Sequence, residues 1–302
     1  MVVVADRPVE REYRSWISDN RRWGRFVSRP GDIFVCTAPK CGTTWMQTVV
    51  ETLLFPGGDA PGRVMEIAPW LDARFEPVDD IVARLDAQAF RRSIKTHTPA
   101  DGIPWFGTAS YIVVGRDGRD ACMSYLNHQR NMRPELKARL IASAAAEGID
   151  IGPLPPVDDV HEYFWWWLND SPIIWFDHVH SFWQHRDEAN VLFVHYGDMQ
   201  SDLDAQMRRV SGFLGIAIDE HRWPELVERC TFAAMKRRSD EIADFEARFV
   251  GGADTFLYKG TNGRWREVLT AEEVAAFDRR VRERLPPEAI TWTTHGDTAV
   301  TT

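Results

Sequence analysis

Short apolar runs alternate with helix-patterned stretches along this chain, and that alternation constrains the fold more than any other feature. Asp32–Thr37 (DIFVCT), Phe90–Thr96 (FRRSIKT), Ser110–Val114 (SYIVV) and Val191–His195 (VLFVH) read as strands. Helical patterns follow three of them, over Thr43–Phe55, Arg119–Arg130 and Asp198–Leu214, the last stopping at Gly215. Strands that are apolar on both faces, spaced by helices, predict an α/β fold: a mostly parallel central sheet flanked by helices on both sides. A chain of 302 residues can build such a core without covalent staples. No linker, repeat or low-complexity tract divides it, so residues 1–302 read as one domain. Two segments look irregular. Gly148–Asp159 is Pro/Gly-rich and reads as a surface loop, and Lys236–Arg264 reads as a long functional loop.

Charge and composition narrow the function. Lys and Arg total 36 against 45 Asp and Glu, a net charge of −9. That argues against nucleic-acid binding, which depends on cations neutralising phosphates, but leaves room for one local anion pocket. Cys36, Cys41, Cys122 and Cys230 form no CxxC pair and read as small, buried, reduced thiols. The start, Met1–Pro8, lacks the basic lead and long apolar core of a signal peptide, and no stretch reaches the roughly 18 apolar residues of a membrane span. The expectation is a cytoplasmic protein without integral membrane association. His178 and His180 lie two apart in a helical pattern and would not face one another, so no metal site is expected. Tyr163–Trp167 reads as core plus a substrate wall.

Four segments carry the chemistry. In Thr37-Ala-Pro-Lys-Cys-Gly-Thr-Thr-Trp45 a strand enters a Pro/Gly turn and a helix opens at Thr43 and Thr44. Unpaired N–H groups at a helix start hold anions, and Lys40 with two threonine hydroxyls completes a phosphate cradle. The lysine precedes the only glycine, unlike the usual triphosphate loop G-x-x-x-x-G-K-[ST]. Ile94-Lys-Thr-His97 ends a second strand, which places Lys95 and His97 on the ligand rim of a parallel sheet. A histidine there suits proton abstraction near neutral pH. Arg116 follows a third strand, with Ser124 further along the next helix; the alternative is Arg116 paired with Asp117 or Asp120 in a capped loop. Lys259 and Gly260 open the fourth segment, Tyr258-Lys-Gly-Thr-Asn-Gly-Arg-Trp265.

Taken together the four segments resemble the cytosolic sulfotransferase family, in order and spacing from about Asp32 to Thr270. P-K-C-G-T-T-W is similar to its 5′-phosphosulfate loop, K-T-H to its catalytic histidine segment, R-D-G-R-D-A-C-M-S to its 3′-phosphate segment, and K-G-T-N-G-R-W to its late R-K-G-x-x-G-D-W segment. Trp175–Trp183 and Val191–Met199 also look like family segments, and the chain is similar to bacterial glycolipid sulfotransferases. There are departures. Cys41 stands for the usual Ser, Tyr258 for an Arg, and Arg264 for the Asp before Trp265. The family's dimerisation signature is poorly kept at Arg266, Thr270, Ala271 and Ala275, which leaves the oligomeric state open.

The resemblance implies a nucleotide-kinase-like, P-loop-related core and a donor, 3′-phosphoadenosine 5′-phosphosulfate (PAPS), used without a metal and released as 3′-phosphoadenosine 5′-phosphate (PAP). It implies that Lys40, Gly42, Thr43 and Thr44 cradle the 5′ end and that Trp45 stacks on adenine. Arg116, Ser124, Lys259 and Gly260 would hold the 3′-phosphate, and Tyr196, Thr231 and Phe232 would add adenine contacts. His97 would take the acceptor proton while Lys40 and Lys95 stabilise the departing oxygen. The Trp and Phe content favours a small apolar acceptor, and the similarity to bacterial glycolipid sulfotransferases implies a glycolipid as the other candidate. Two other readings stay open at this point: an ATP-dependent small-molecule kinase on the same core, and a non-catalytic nucleotide-binding module.

Overall fold

The computed structural model describes residues 4–171 and 175–297, so Met1–Val3 of the N-terminal stretch discussed above lie outside the described residues. Four parallel strands form the sheet: β1 (Ile33–Thr37), β2 (Ser93–Thr96), β3 (Ser110–Gly115) and β4 (Val191–His195), in the spatial order β2-β1-β3-β4. Register pairs Cys36 with Thr96, Thr37 with Val114 and Gly115 with His195, so all four strands end along one edge.

Burial on both faces explains why β1 is apolar throughout. Successive side chains alternate sides. Ile33 and Val35 pack with Met46, Val49 and Val50 of the helix Thr43–Leu54 and with Val210 of the helix Leu203–Leu214. Phe34 and Cys36 face the other way, onto Trp23, Leu71, Tyr111 and Phe182. There Tyr111 stacks between Trp105, with ring centroids 3.9 Å apart, and Phe34 at 4.9 Å.

The structure corrects four expectations. β2 begins at Ser93 rather than Phe90; Arg91 and Arg92 before it turn their side chains to the Gly31 carbonyl and the Asp32 carboxylate at the amino edge of the sheet. The helix expected over Asp198–Leu214 is two, Tyr196–Ser201 and Leu203–Leu214; the carboxylate of Asp202 breaks the run by accepting the Ala205 N–H at 3.0 Å. Tyr163–Trp167 lies in the helix Val160–Asn169, with Tyr163, Phe164, Trp166 and Trp167 in a core cluster beside Phe176 and Phe277, so it is core and not a substrate wall. Lys236–Arg264 is not a loop. It holds short helices at Ser239–Ile242 and Gly252–Phe256 and buries Ile242, Phe245, Phe249 and Leu257 against Trp16 and Met132. Elements of four or five residues are too short to show periodicity. Gly148–Asp159 carries no helix or strand, and the Asp159 carboxylate caps the helix that follows.

Candidate active site

Every strand end on the carboxyl edge delivers one element of the site, as expected for a parallel sheet. β1 leads into the cradle. Lys40 has φ 66°, the left-handed region that L side chains seldom adopt, and Gly42 follows at φ 108° as the cap of the helix Thr43–Leu54. A side chain at Gly42 would also meet the Tyr196 ring at 2.8 Å. The turn therefore needs glycine both for its backbone and for the close approach of Tyr196. Thr43, Thr44 and Trp45 in the first turn of this helix line the cavity, and the first N–H groups of a helix have no intrahelical partner. The Thr43 hydroxyl is hydrogen-bonded to that of Thr37, and the Trp45 indole N–H donates to the Cys230 carbonyl at 2.7 Å, which orients the ring.

β2 delivers Lys95 and His97 on one face. His97 Nδ1 lies 2.7 Å from the Thr37 carbonyl oxygen. A carbonyl can only accept, so Nδ1 carries the proton and Nε2 keeps its lone pair. Burial, then the nearby Lys95 ammonium, hold the imidazole well below its usual pKa, so it is neutral at physiological pH. The ring sits edge-on to Trp70 at 4.6 Å, and Lys95 Nζ lies over the same indole at 4.7 Å. Burial, followed by Arg248 and Lys40, pushes Lys95 down to about 7. Lys40, its Nζ 4.2 Å from the Phe256 ring centroid, is lowered to about 8 by burial and by Arg116. Neither ammonium has a hydrogen bond or ion pair to another side chain among the described residues.

β3 leads directly into Arg116, which is 6% exposed. Its guanidinium donates to the Asn262 side-chain oxygen at 2.8 Å and to the carbonyls of Lys40 at 3.0 Å and Thr261 at 2.9 Å, and lies over the Tyr196 ring at 4.2 Å. The pairing with Asp117 or Asp120 does not form. Asp117 pairs with Arg119 at 2.7 Å, and Asp120 accepts the Gly263 N–H at 2.8 Å. β4 runs straight into Tyr196. Arg116 thus stitches the cradle to the 258–264 segment. In that segment Gly260, at φ 63°, packs so tightly on Phe232 that a Cβ would sit 2.8 Å from the ring. Lys259 and Arg264 both lie over Tyr258, at 5.2 and 5.1 Å.

Lys40, Gly42, Thr43, Thr44, Trp45, Lys95, His97, Arg116, Ser124, Tyr196, Phe232, Lys259 and Gly260 all line one cavity. Thr231 does not line it. Its hydroxyl accepts the Ala234 N–H at 3.2 Å and donates to the Glu228 carbonyl at 2.9 Å, as the cap of the helix Phe232–Arg237. The sequence reading missed Trp70, His128, Arg248 and Phe256, which line the same cavity. It also missed Asn262, whose only signal was its place inside the K-G-T-N-G run. His178 is buried and His180 exposed, and no metal-ligand cluster occurs among the described residues.

An anion cradle at a strand–helix junction, a second cationic junction beside it and a neutral histidine on the same rim define an α/β group-transfer enzyme. The profile of the sulfotransferase domain matches residues 30–287. A glycolipid sulfotransferase of Mycobacterium bovis is 35% identical, with 94% of each chain covered, and human sulfotransferase 1C2 is 26% identical over 88% of this chain and 86% of its own. Among solved structures, mouse sulfotransferase SULT7A1 complexed with PAP superposes with a TM-score of 0.69 at 22% identity, covering 89% of both chains. Retinol dehydratase in complex with androsterone and inactive cofactor PAP gives 0.69 at 20% identity, covering 89% of this chain and 87% of that one. The chain belongs to the sulfotransferase family, and it is a sulfotransferase with the fold that the strand–helix alternation implied.

Proposed function

We propose that the protein moves the sulfuryl group of PAPS to a hydroxyl or amine of an apolar acceptor and releases PAP. The observation that carries this reading is the convergence of Lys40, Lys95, His97 and Arg116 on one rim, in a chain of this family. His97 Nε2 takes the proton of the acceptor hydroxyl as its oxygen bonds to sulfur, and the bond from sulfur to the bridging phosphate oxygen breaks. Lys40 and Lys95 stabilise the charge left on that oxygen. Depressed pKa values let them act as proton donors as well as fixed charges. By analogy with phosphoryl transfer, the work is mainly positioning and electrostatics. The cradle holds the 5′ end and Trp45, with Tyr196 and Phe232, the adenine. Arg116, Ser124, Lys259 and Gly260 hold the 3′-phosphate, with Arg264 supplying charge where Tyr258 has none.

The acceptor side supports an amphiphile. Met65, Trp70, Phe75, Met132, Phe245 and Phe249 contribute an apolar wall, and the mycobacterial relatives are named for glycolipids. A cytoplasmic location is part of the proposal; all four cysteines are free and buried, and no helix among the described residues is long and apolar enough to cross a membrane. The test is PAP release from PAPS over a panel of hydroxylated amphiphiles, with thermal shifts for PAP and AMP. PAP at a hundred times its Kd should add about 2.7 kcal/mol of stability, and AMP at the same concentration much less. Equal shifts would remove the 3′-phosphate contacts from the proposal.

A further inference from the structure

Among the described residues that line the cavity, one cation is left unused by the transfer steps. Arg248 lies between the short helices Ser239–Ile242 and Gly252–Phe256. Its backbone is fixed: its carbonyl accepts the Arg133 N–H at 2.9 Å, and its neighbour Phe249 is buried. The side chain lines the cavity with its guanidinium 5.0 Å from the Phe75 ring centroid. Phe75 in turn packs edge-on against Trp70 at 5.8 Å, the indole that also carries Lys95 and His97. Arg248 therefore stands two aromatic rings, Trp70 and Phe75, beyond Lys95 and His97, on the wall proposed for the acceptor.

No hydrogen bond or ion pair engages this guanidinium among the described residues. Glu76 also lines the cavity, but Arg84 takes both of its carboxylate oxygens, at 2.6 and 2.9 Å. Arg116 differs, being tied to three oxygens of the protein. A guanidinium cannot shed its charge at any accessible pH. Half-buried among aromatic rings, it is costly unless a ligand pairs with it. The donor's anionic groups are already matched, by the cradle with Lys40 and Lys95 at one end and by Arg116 and Lys259 at the other.

We propose that Arg248 pairs with an oxyanion of the acceptor itself, a carboxylate, phosphate ester or sulfate held near the hydroxyl that is sulfated. The acceptor is then an anionic amphiphile rather than a neutral one. This deepens the sulfuryl-transfer reading and rests on it.

The test uses ω-hydroxy fatty acids of increasing chain length, each beside its methyl ester, with PAPS as donor. The pair differs only in charge. A charge-assisted hydrogen bond contributes about 1.5–3 kcal/mol, roughly a ten- to hundredfold preference. The wild-type kcat/KM should favour the acid over the ester by that ratio at the chain length that spans hydroxyl and guanidinium, and the preference should shrink as salt rises. Arg248→Met, which keeps the aliphatic stem on Phe75, should reduce the ratio at least tenfold, and Arg248→Lys should retain part of it. Melting temperature and PAP affinity, measured alongside with Arg248→Gln as a second variant, separate misfolding from lost recognition. No preference for the acid at any length overturns the inference, as does a PAP affinity that falls with Arg248→Met, which would assign the residue to the donor. Wild-type transfer to none of the acids or esters, with PAP still bound, overturns the inference alone; loss of both transfer and PAP binding overturns the sulfuryl-transfer reading with it. Transfer to both classes without discrimination overturns the inference alone.

Discussion

The two edges of the sheet carry the same kinds of charged residue and put them to opposite use. At the amino edge, Asp32 and Arg92 are each 1% exposed and fully engaged. Arg92 Nε and Nη2 reach the two carboxylate oxygens at 2.9 and 2.6 Å, and Nη2 also donates to the Val27 carbonyl. Asp32 accepts in addition from the Ser28 hydroxyl and the Arg29 N–H. At the carboxyl edge, Lys40 and Lys95 face aromatic rings and one another with no carboxylate bound to either, and burial has pulled both pKa values down. The comparison teaches that a buried ion pair such as Asp32–Arg92 serves the fold, whereas the two unpaired lysines are left with charge for a ligand to meet.

The largest expected effect lies at the carboxyl edge. His97→Ala should lower turnover by about 10²–10⁴-fold with PAP affinity within a few-fold, since the proposed mechanism has this base touch the acceptor rather than the donor phosphates. Lys40→Ala should lower both turnover and PAP affinity. Kinetics with PAP titrations check this, and near wild-type turnover in a normally melting His97→Ala protein would refute the proposed base.

Stability should respond at the other edge. Asp32→Ala leaves Arg92 buried without its main partner and should cost about 3–5 kcal/mol in denaturant unfolding. Lys40→Ala removes a cation that burial already disfavours and should leave stability level or slightly higher. Equal losses from the two variants would break the comparison.

A smaller effect sharpens it. The proposed mechanism needs Lys95 and Lys40 protonated, and burial lowers them to about 7 and about 8. The kcat/KM profile, which reports the free enzyme, should therefore decline as pH rises above about 7, where Lys95 begins to lose its proton. Anionic donor favours the charged forms, so the limb in kcat should lie higher. His97 must be neutral, and burial holds its pKa well below the ordinary 6.5, so activity should not fall as pH drops through that value. A pH–rate profile with an acid limb near 6.5 would contradict the environment described for His97.

What the sequence by itself determined is the part written in neighbouring residues. The strand cores, the strand–turn–helix cradle from Thr37 to Trp45 and the positions of Lys95, His97 and Arg116 at strand ends follow from apolar runs, turn residues and helix starts within a dozen positions. Their resemblance to a known family supplied the roles proposed on the donor side. Only the tertiary structure decided the acceptor side. Residues 65–81, 123–136 and 235–257 meet there, far apart along the chain, and each contributes several side chains. Thr231 could be read as a ligand contact until its hydroxyl was seen capping a helix, and Tyr163–Trp167 as a wall until it was found packed on Phe277. Arg248 carries no local signal at all. Hydrogen bonding and side-chain periodicity act between near neighbours and leave a pattern in the sequence. The wall of a cavity is set by which remote surfaces pack together, and short elements joined by packing leave none.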